Sequence, residues 1–247
     1  MIPAARAASP EKGNRIGGME KIMKKDDRGS GNAQETVSGA AIPSGCAYVN
    51  LPPSTMLNPV PVVLVSCAER GCPENRNAIT VAWAGTVNSE PPMVSVSLRK
   101  ERYSHGLIAG SGEFVINLVD EAMCRAVDFC GVRSGRDVDK GAETGLTYCP
   151  AEGLSVAPAV EGAPASLSCR VKQIIPLGSH DLFLAEVVGI RVRQDLLDEK
   201  GSLRLDQARL VAYSHGLYQK LGDVMGFFGW SVARKEIYEK RMAPFHG

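Results

Sequence analysis

Between Asn77 and Lys140 this chain places cations, hydroxyls and a tryptophan at short spacing. Arg99, Lys100 and Arg102 run directly into Tyr103, Ser104 and His105. A serine that opens a helix beside a run of cations brings together free backbone N–H groups, a hydroxyl and guanidinium forks, which is the chemistry of a phosphate site. Three cations in four positions cannot all face one phosphate. Strand alternation favours Arg99, and Arg102 stands at the helix entrance; solvated surface charge is the other reading of both. Upstream, Asn77, Thr80 and Trp83 lie along a β-rich run. Trp83 is either a planar wall for an aromatic ligand or a core residue with a satisfied N–H. Asn77 starts a strand from a turn or touches a ligand, and Thr80 is an ordinary β residue or a backbone-level contact. The set suits an anion carried on a flat, partly apolar ring.

Other chemistries find less support. The loop GVRSGRDVDKG, Gly131 to Gly141, contains Gly and Lys in the wrong order for a nucleotide-binding P-loop, and Gly110-Ser111-Gly112 is a turn and no dinucleotide fingerprint. The seven cysteines are odd in number and lack a repeated C-x-x-C, so they read as reduced thiols without a metal site. A net charge of +1 lacks the concentrated basic face that nucleic acid requires. No apolar run approaches the ~20 residues that span a bilayer, and no apolar signal core opens the chain. The expected address is the cytoplasm, with no membrane partner.

The elements that must hold these residues follow from periodicity. Residues 1–44, rich in Gly, Ala, Ser and charge, read as a flexible tail, and residues 45–247 as one folded domain with a C-terminal extension. Val60–Cys67 predicts a buried strand, and Asn77–Thr86 a second strand forming a hairpin with it. Met93–Arg99 alternates with period two, putting Val94, Val96 and Leu98 on one face and Ser95, Ser97 and Arg99 on the other. A helix starts near Tyr103 with Ser104 as its cap. Glu113–Val119 predicts a strand and Glu121–Cys130 a helix. Ala165–Pro176 and Asp181–Val192 predict an antiparallel pair whose turn projects His180. Arg209–Tyr218 is a strand or a loop holding Tyr213, His215 and Tyr218. The absence of a regular β-α-β rhythm argues for a mainly β, α+β fold, a closed antiparallel barrel with short helical insertions.

Four motifs occur in one order: N-x-x-T-x-x-W at Asn77, Thr80 and Trp83, then EPPMVSVSLRKERYSH, FCGVRSGRDVDK and GSHDLFLAEV. From about Pro59 to Gly222 the chain resembles the flavin reductase-like, FMN-binding split-barrel family, which includes the flavoredoxins. The resemblance implies a six-stranded split barrel, usually a homodimer, with FMN near the subunit interface. It implies that Asn77, Thr80 and Trp83 line the flavin, and that Ser97, Arg99, Arg102, Tyr103 and Ser104 hold the ribityl phosphate. Cys130, Ser134 and Lys140 match the loop that closes over the cofactor. His180 matches a turn histidine that approaches the flavin, and Tyr213 a C-terminal aromatic position for which Tyr218 is an equal candidate. Ala185 departs from a glycine found in many relatives.

Lys140 is then either paired with Asp137 or Asp139 on a loop, or a positive charge beside reduced flavin that raises its potential. His180 is an exposed turn residue or a group for hydrogen bonding and proton exchange at the flavin. Cys130 reads as a small buried side chain. The function implied is an FMN-dependent oxidoreductase passing reducing equivalents from NAD(P)H to a flavin or other acceptor. The alternative is a flavoredoxin-like electron-transfer protein that reacts poorly with NAD(P)H.

Overall fold

The computed structural model describes Gly45 and residues 47–245, so the expected tail, residues 1–44, lies outside the described residues. Val49–Gly247 forms one compact unit. Its strands are β1 (Val60–Pro61), β2 (Val63–Glu69), β3 (Cys72–Val81), β4 (Ala84–Ser89), β5 (Pro92–Arg99), β6 (Glu113–Leu118), β7 (Tyr148–Cys149), β8 (Ala159–Val160), β9 (Ala165–Pro176), β10 (His180–Val192), β11 (Val211–Ser214) and β12 (Leu217–Lys220). Its helices are α1 (Tyr103–Ser111), α2 (Cys124–Val132), α3 (Lys140–Thr144) and α4 (Lys235–Met242). No helix among the described residues is long and apolar enough to cross a membrane.

One expectation fails in an informative way. The run Asn77–Thr86 is not a single strand. It breaks at Ala82 and Trp83, where the chain changes partner: β3 pairs with β2, and β4 pairs with β5. The main sheet has the order β3-β2-β6-β9-β10-β5-β4, with antiparallel neighbours throughout. Its two edges are therefore joined by two residues, and Trp83 O accepts a hydrogen bond from Ser97 N at 2.9 Å. The sheet has to curl until those edges meet. Counted as one bent stave, β3–β4 completes a six-stranded antiparallel barrel, and closure leaves few bare edges.

The barrel interior collects Val63, Val65 and Cys67 of β2, Val94, Val96 and Leu98 of β5, and Phe114 and Phe183, with Leu107 and Ile108 of α1 packed into the same cluster. Val62 and Leu64 face the other way, onto Val127 and Cys130 of α2. β2 is covered on both sides, which is why its sequence runs continuously apolar instead of alternating. On β5 the alternation holds: Val94, Val96 and Leu98 are buried, while Ser95, Ser97 and Arg99 are not. The helix expected over Glu121–Cys130 begins as a 3-10 turn at Glu121–Met123, capped by the Asp120 carboxylate, and continues as α2.

The ambiguous stretch 209–218 is a hairpin. β11 and β12 pair with each other, β11 pairs on its other side with β1, and the two turn residues, His215 and Gly216, have φ of 48° and 88°. Both central residues at positive φ make a type I′ turn, and His215 N is further tied to Asn58 Oδ1 at 3.2 Å. His180 is not carried on the β9–β10 turn but opens β10, registered opposite Arg99. Beyond Gly222 the chain runs without regular structure to a 3-10 turn at Trp230–Val232 and then α4, with Met242 buried.

Candidate functional site

The barrel seam is also the wall of a cavity pair. One cavity, about 570 Å³, lies among Thr80, Trp83, Asp128, Tyr213, His215 and Tyr218, with Thr55, Leu57, Asn58 and Val60 beside them. A second, about 500 Å³, lies against Ser95, Ser97 and residues 82–87. Thr55, Leu57, Val60, Ala82 and Trp83 line both. Trp83, 45% exposed, is the flat surface the two spaces share. Behind it stands His180, ring centroids 4.6 Å apart and tilted by 43°. Burial, and after it the charge of Arg99, holds the His180 imidazole below its ordinary pKa, so the neutral ring is favoured next to the indole.

Thr80, Trp83, Ser97 and Tyr213 thus line these cavities, and His180 reaches them through Trp83. Thr80 Oγ1 is already spent on Val127 O, which ties β3 to α2. Arg99, Arg102 and Tyr103 lie at the next corner, where β5 gives way to α1. Arg102 is the N-cap residue with extended backbone, no side chain caps the helix, and its first turn holds no acid. That corrects the expectation for Ser104. Its side chain is fully buried in the first turn and accepts from Asn77 Nδ2 at 2.8 Å. With no capping side chain, the first N–H groups of α1 stay available to an anion.

Cations surround this entrance. The Arg99 guanidinium is 3.5 Å from Glu101, and Lys100 Nζ is 3.4 Å from Asp181. Arg136 lies 5.2 Å from the Tyr103 ring centroid and donates to Glu101 O at 3.0 Å. Its loop turns on Ser134, whose Oγ accepts from Arg136 N at 3.2 Å. Gly135 is required here: a Cβ would sit 2.4 Å from Asn77 Oδ1 and 3.0 Å from Tyr103 Cδ1. The loop therefore packs backbone-first against the residue that fixes Ser104.

Three further candidate residues line neither cavity. Asn77, 3% exposed, lines neither cavity and serves the Ser104 hydrogen bond. Lys140 is 4% exposed, and its ammonium donates to Ala78 O at 2.7 Å and Cys130 O at 2.8 Å. Burial lowers its pKa from the lysine range, and the two carbonyls are what offset the desolvation of the charge. It bolts α3 to β3 and α2 and presents no charge to either cavity. Cys130 is wholly buried, its thiol pushed up by that burial; its carbonyl, not its sulfur, is the working group.

Sequence reasoning did not pick out Asp128 and Ser95, which line the cavities, or Arg136, which packs on Tyr103 at the α1 entrance. Ser95 shares a strand face with Ser97, so alternation already pointed to it. Asp128 gave no such signal, because its contact, Tyr218 Oη donating to Oδ1 at 3.1 Å, spans ninety residues of chain.

The residues present fit a phosphorylated flavin. An uncapped helix entrance ringed by Arg99, Arg102 and Arg136 suits the phosphate, and the uncharged cavity beside Trp83, Ser95 and Ser97 suits a ring with polar edges.

Comparison with known proteins agrees. The family described as "Flavin reductase like domain" matches residues 55–222. The flavoredoxin of Desulfovibrio vulgaris (Miyazaki F) superposes with a TM-score of 0.67 at 29% identity, covering 73% of this chain and 97% of that one. An FMN-binding protein from Thermus thermophilus gives a TM-score of 0.59 at 28% identity, covering 72% of this chain and 96% of that one. An NADPH-flavin oxidoreductase of Streptomyces viridifaciens is 32% identical over 133 residues, 53% of this chain and 66% of that protein. The chain spans about two thirds of the length of that relative and of one from Archaeoglobus fulgidus, 66% in each case. Family match, barrel topology and cavity chemistry converge: this chain belongs to the flavin reductase-like family.

Proposed function

We propose that this chain is an FMN-dependent oxidoreductase that takes reducing equivalents from NAD(P)H and delivers them to a flavin or another electron acceptor. The observation that carries the reading is the cavity pair walled by Trp83, one strand away from the uncapped, cation-ringed start of α1. Bound FMN would supply the redox chemistry, accepting two electrons from a donor and passing them on. The chain's own residues bind and orient. Arg99 and Arg102 hold the phosphate, Trp83 carries the ring, and the hydroxyls of Ser95 and Ser97 meet its polar edge. His180, held neutral behind Trp83, keeps the indole in place and offers a site for proton exchange. Large apolar side chains exposed around the cavities, Leu57, Trp83 and Val87, suit burial against a second copy, so the reading includes a homodimer. It also includes a cytoplasmic setting, where the six described cysteines, all free, stay reduced.

Flavoredoxin among the structural neighbours favours a second reading, an electron-transfer protein that reacts poorly with NAD(P)H. An absorption spectrum and an FMN titration of the purified protein test the cofactor. Anaerobic mixing with NADH and NADPH then separates the readings: bleaching of the flavin band by either supports the reductase. Loss of that bleaching, with FMN still bound, leaves the electron-transfer protein.

A further inference from the structure

Asp181 is a buried carboxylate for which the redox chemistry has no use. It follows His180 on β10, lies opposite Leu98 of β5 and is 7% exposed. His105 Nε2, in the first turn of α1, donates to its Oδ2 at 2.9 Å. Lys100 Nζ, in the turn between β5 and α1, stands 3.4 Å from Oδ1, which accepts no hydrogen bond among the described residues. The His105 ring also packs edge-on against Phe183, with centroids 5.2 Å apart. One carboxylate thus holds both ends of the stretch from Lys100 to His105, which forms the entrance to α1. The His105 hydrogen bond keeps the carboxyl below its ordinary pKa; burial opposes this and the charge of Lys100 assists it.

Holding α1 in place does not call for a charge here. An asparagine carbonyl would accept from His105 as well, without desolvating an ionised group. What the charge adds is its grip on Lys100. The Arg99–Glu101 pair is exposed on both sides, 52% and 66%, so it opens at little cost. Lys100 is tied instead to a side chain only 10% exposed. We propose that Asp181 sets the affinity for the FMN phosphate by withholding Lys100 from it, leaving the dianion to the guanidinium groups. This rests on the reading of the chain as an FMN protein with its phosphate at this corner. Asp181 acts through Lys100 and is a positioning residue. Its own charge, buried and therefore weakly screened, also repels the phosphate. Both effects have one sign: the carboxylate lowers the affinity for a phosphorylated flavin and leaves an unphosphorylated one untouched.

The test needs no turnover. FMN and riboflavin are titrated, by flavin fluorescence at low salt, into the purified full-length protein and its variants. Asp181→Asn keeps an acceptor for His105 and frees Lys100; it is expected to bind FMN about fivefold more tightly and riboflavin unchanged. Lys100→Gln leaves the carboxylate without its cation and is expected to weaken FMN binding about fivefold, again with riboflavin unchanged. The double variant replaces the pair by neutral groups and should return to the affinity of the unaltered protein. Repeating the titrations in about 0.5 M salt should shrink every difference, which a packing defect would not do. Unchanged or weaker FMN binding by Asp181→Asn, equal shifts for the two flavins, or undiminished FMN binding by Lys100→Gln overturns the proposal while FMN binding itself stands. Should Asp181→Asn fail to fold, Lys100→Gln decides alone, since that side chain is 52% exposed. An unaltered protein that binds neither flavin overturns the cofactor reading and the role of Asp181 with it.

Discussion

At the residue scale the sharpest statements concern Asn77, Ser104 and Lys140, three polar side chains that motif reading had turned toward a ligand. All three are buried and satisfied by the protein itself. Asn77→Ala removes the donor to Ser104 and is expected to cost about 1–3 kcal/mol of stability, read from urea unfolding. The same deletion should lower the cost of Gly135→Ala, since the Asn77 amide is what an added Cβ strikes first. Lys140→Ala strips the partner from two buried carbonyls, and about 3 kcal/mol of lost stability is expected, with FMN affinity of the folded protein unchanged. A flavin-facing lysine would give the reverse pattern, affinity lost and stability kept. That Trp83 and Ser97 face a cavity was legible, because an aromatic residue near a strand end and a period-two face are local signals. Lys140 was not, because nothing near it in the chain says that Ala78 O and Cys130 O converge on one point.

At the scale of elements, the β5–α1 junction divides its labour. Arg102→Gln is expected to weaken FMN binding about tenfold while leaving riboflavin, which lacks the phosphate, unaffected. Equal losses for both ligands in fluorescence titrations would show that Arg102 does not read the phosphate. The staves carry a separate titration. Burial pushes the thiols of Cys67 on β2 and Cys169 on β9 from the ordinary 9.0 to about 12. A raised folded-state pKa means the native protein holds protons that the unfolded chain releases above pH 9. Their contribution to stability is therefore complete below pH 9 and lost as pH rises from 9 to 12, at about 1.4 kcal/mol per pH unit for each thiol. Melting temperature should fall across that window, and Cys169→Ala should make the fall shallower. β5, β9 and β10 were readable to within a residue or two from alternation and β-branched runs. The break at Ala82 was not, because the change of partner is decided by strands far away in sequence, and the hairpin at 211–220 was obscured by a turn built on His215.

At the scale of the whole molecule, the family match ends at Gly222, while the structure continues through α4. Truncation after Gly222 is expected to keep the barrel and its FMN binding. It should still lower the melting temperature by several degrees, because Met242 is fully packed and its burial contributes about 2 kcal/mol. Calorimetric melting and an FMN titration of the truncated chain check both halves.

The two-residue joint at Ala82 and Trp83 gives the barrel an unusual dependence. The same peptide units that keep the first and last staves together are the ones a ring-shaped guest would lean on. Occupancy and cohesion then draw on one joint, and a molecule lodged against the indole acts as a rivet. Amide protons along residues 72–89 should exchange with deuterium more slowly when the guest is present, while those of β9, three strands from the joint either way round, keep their pace.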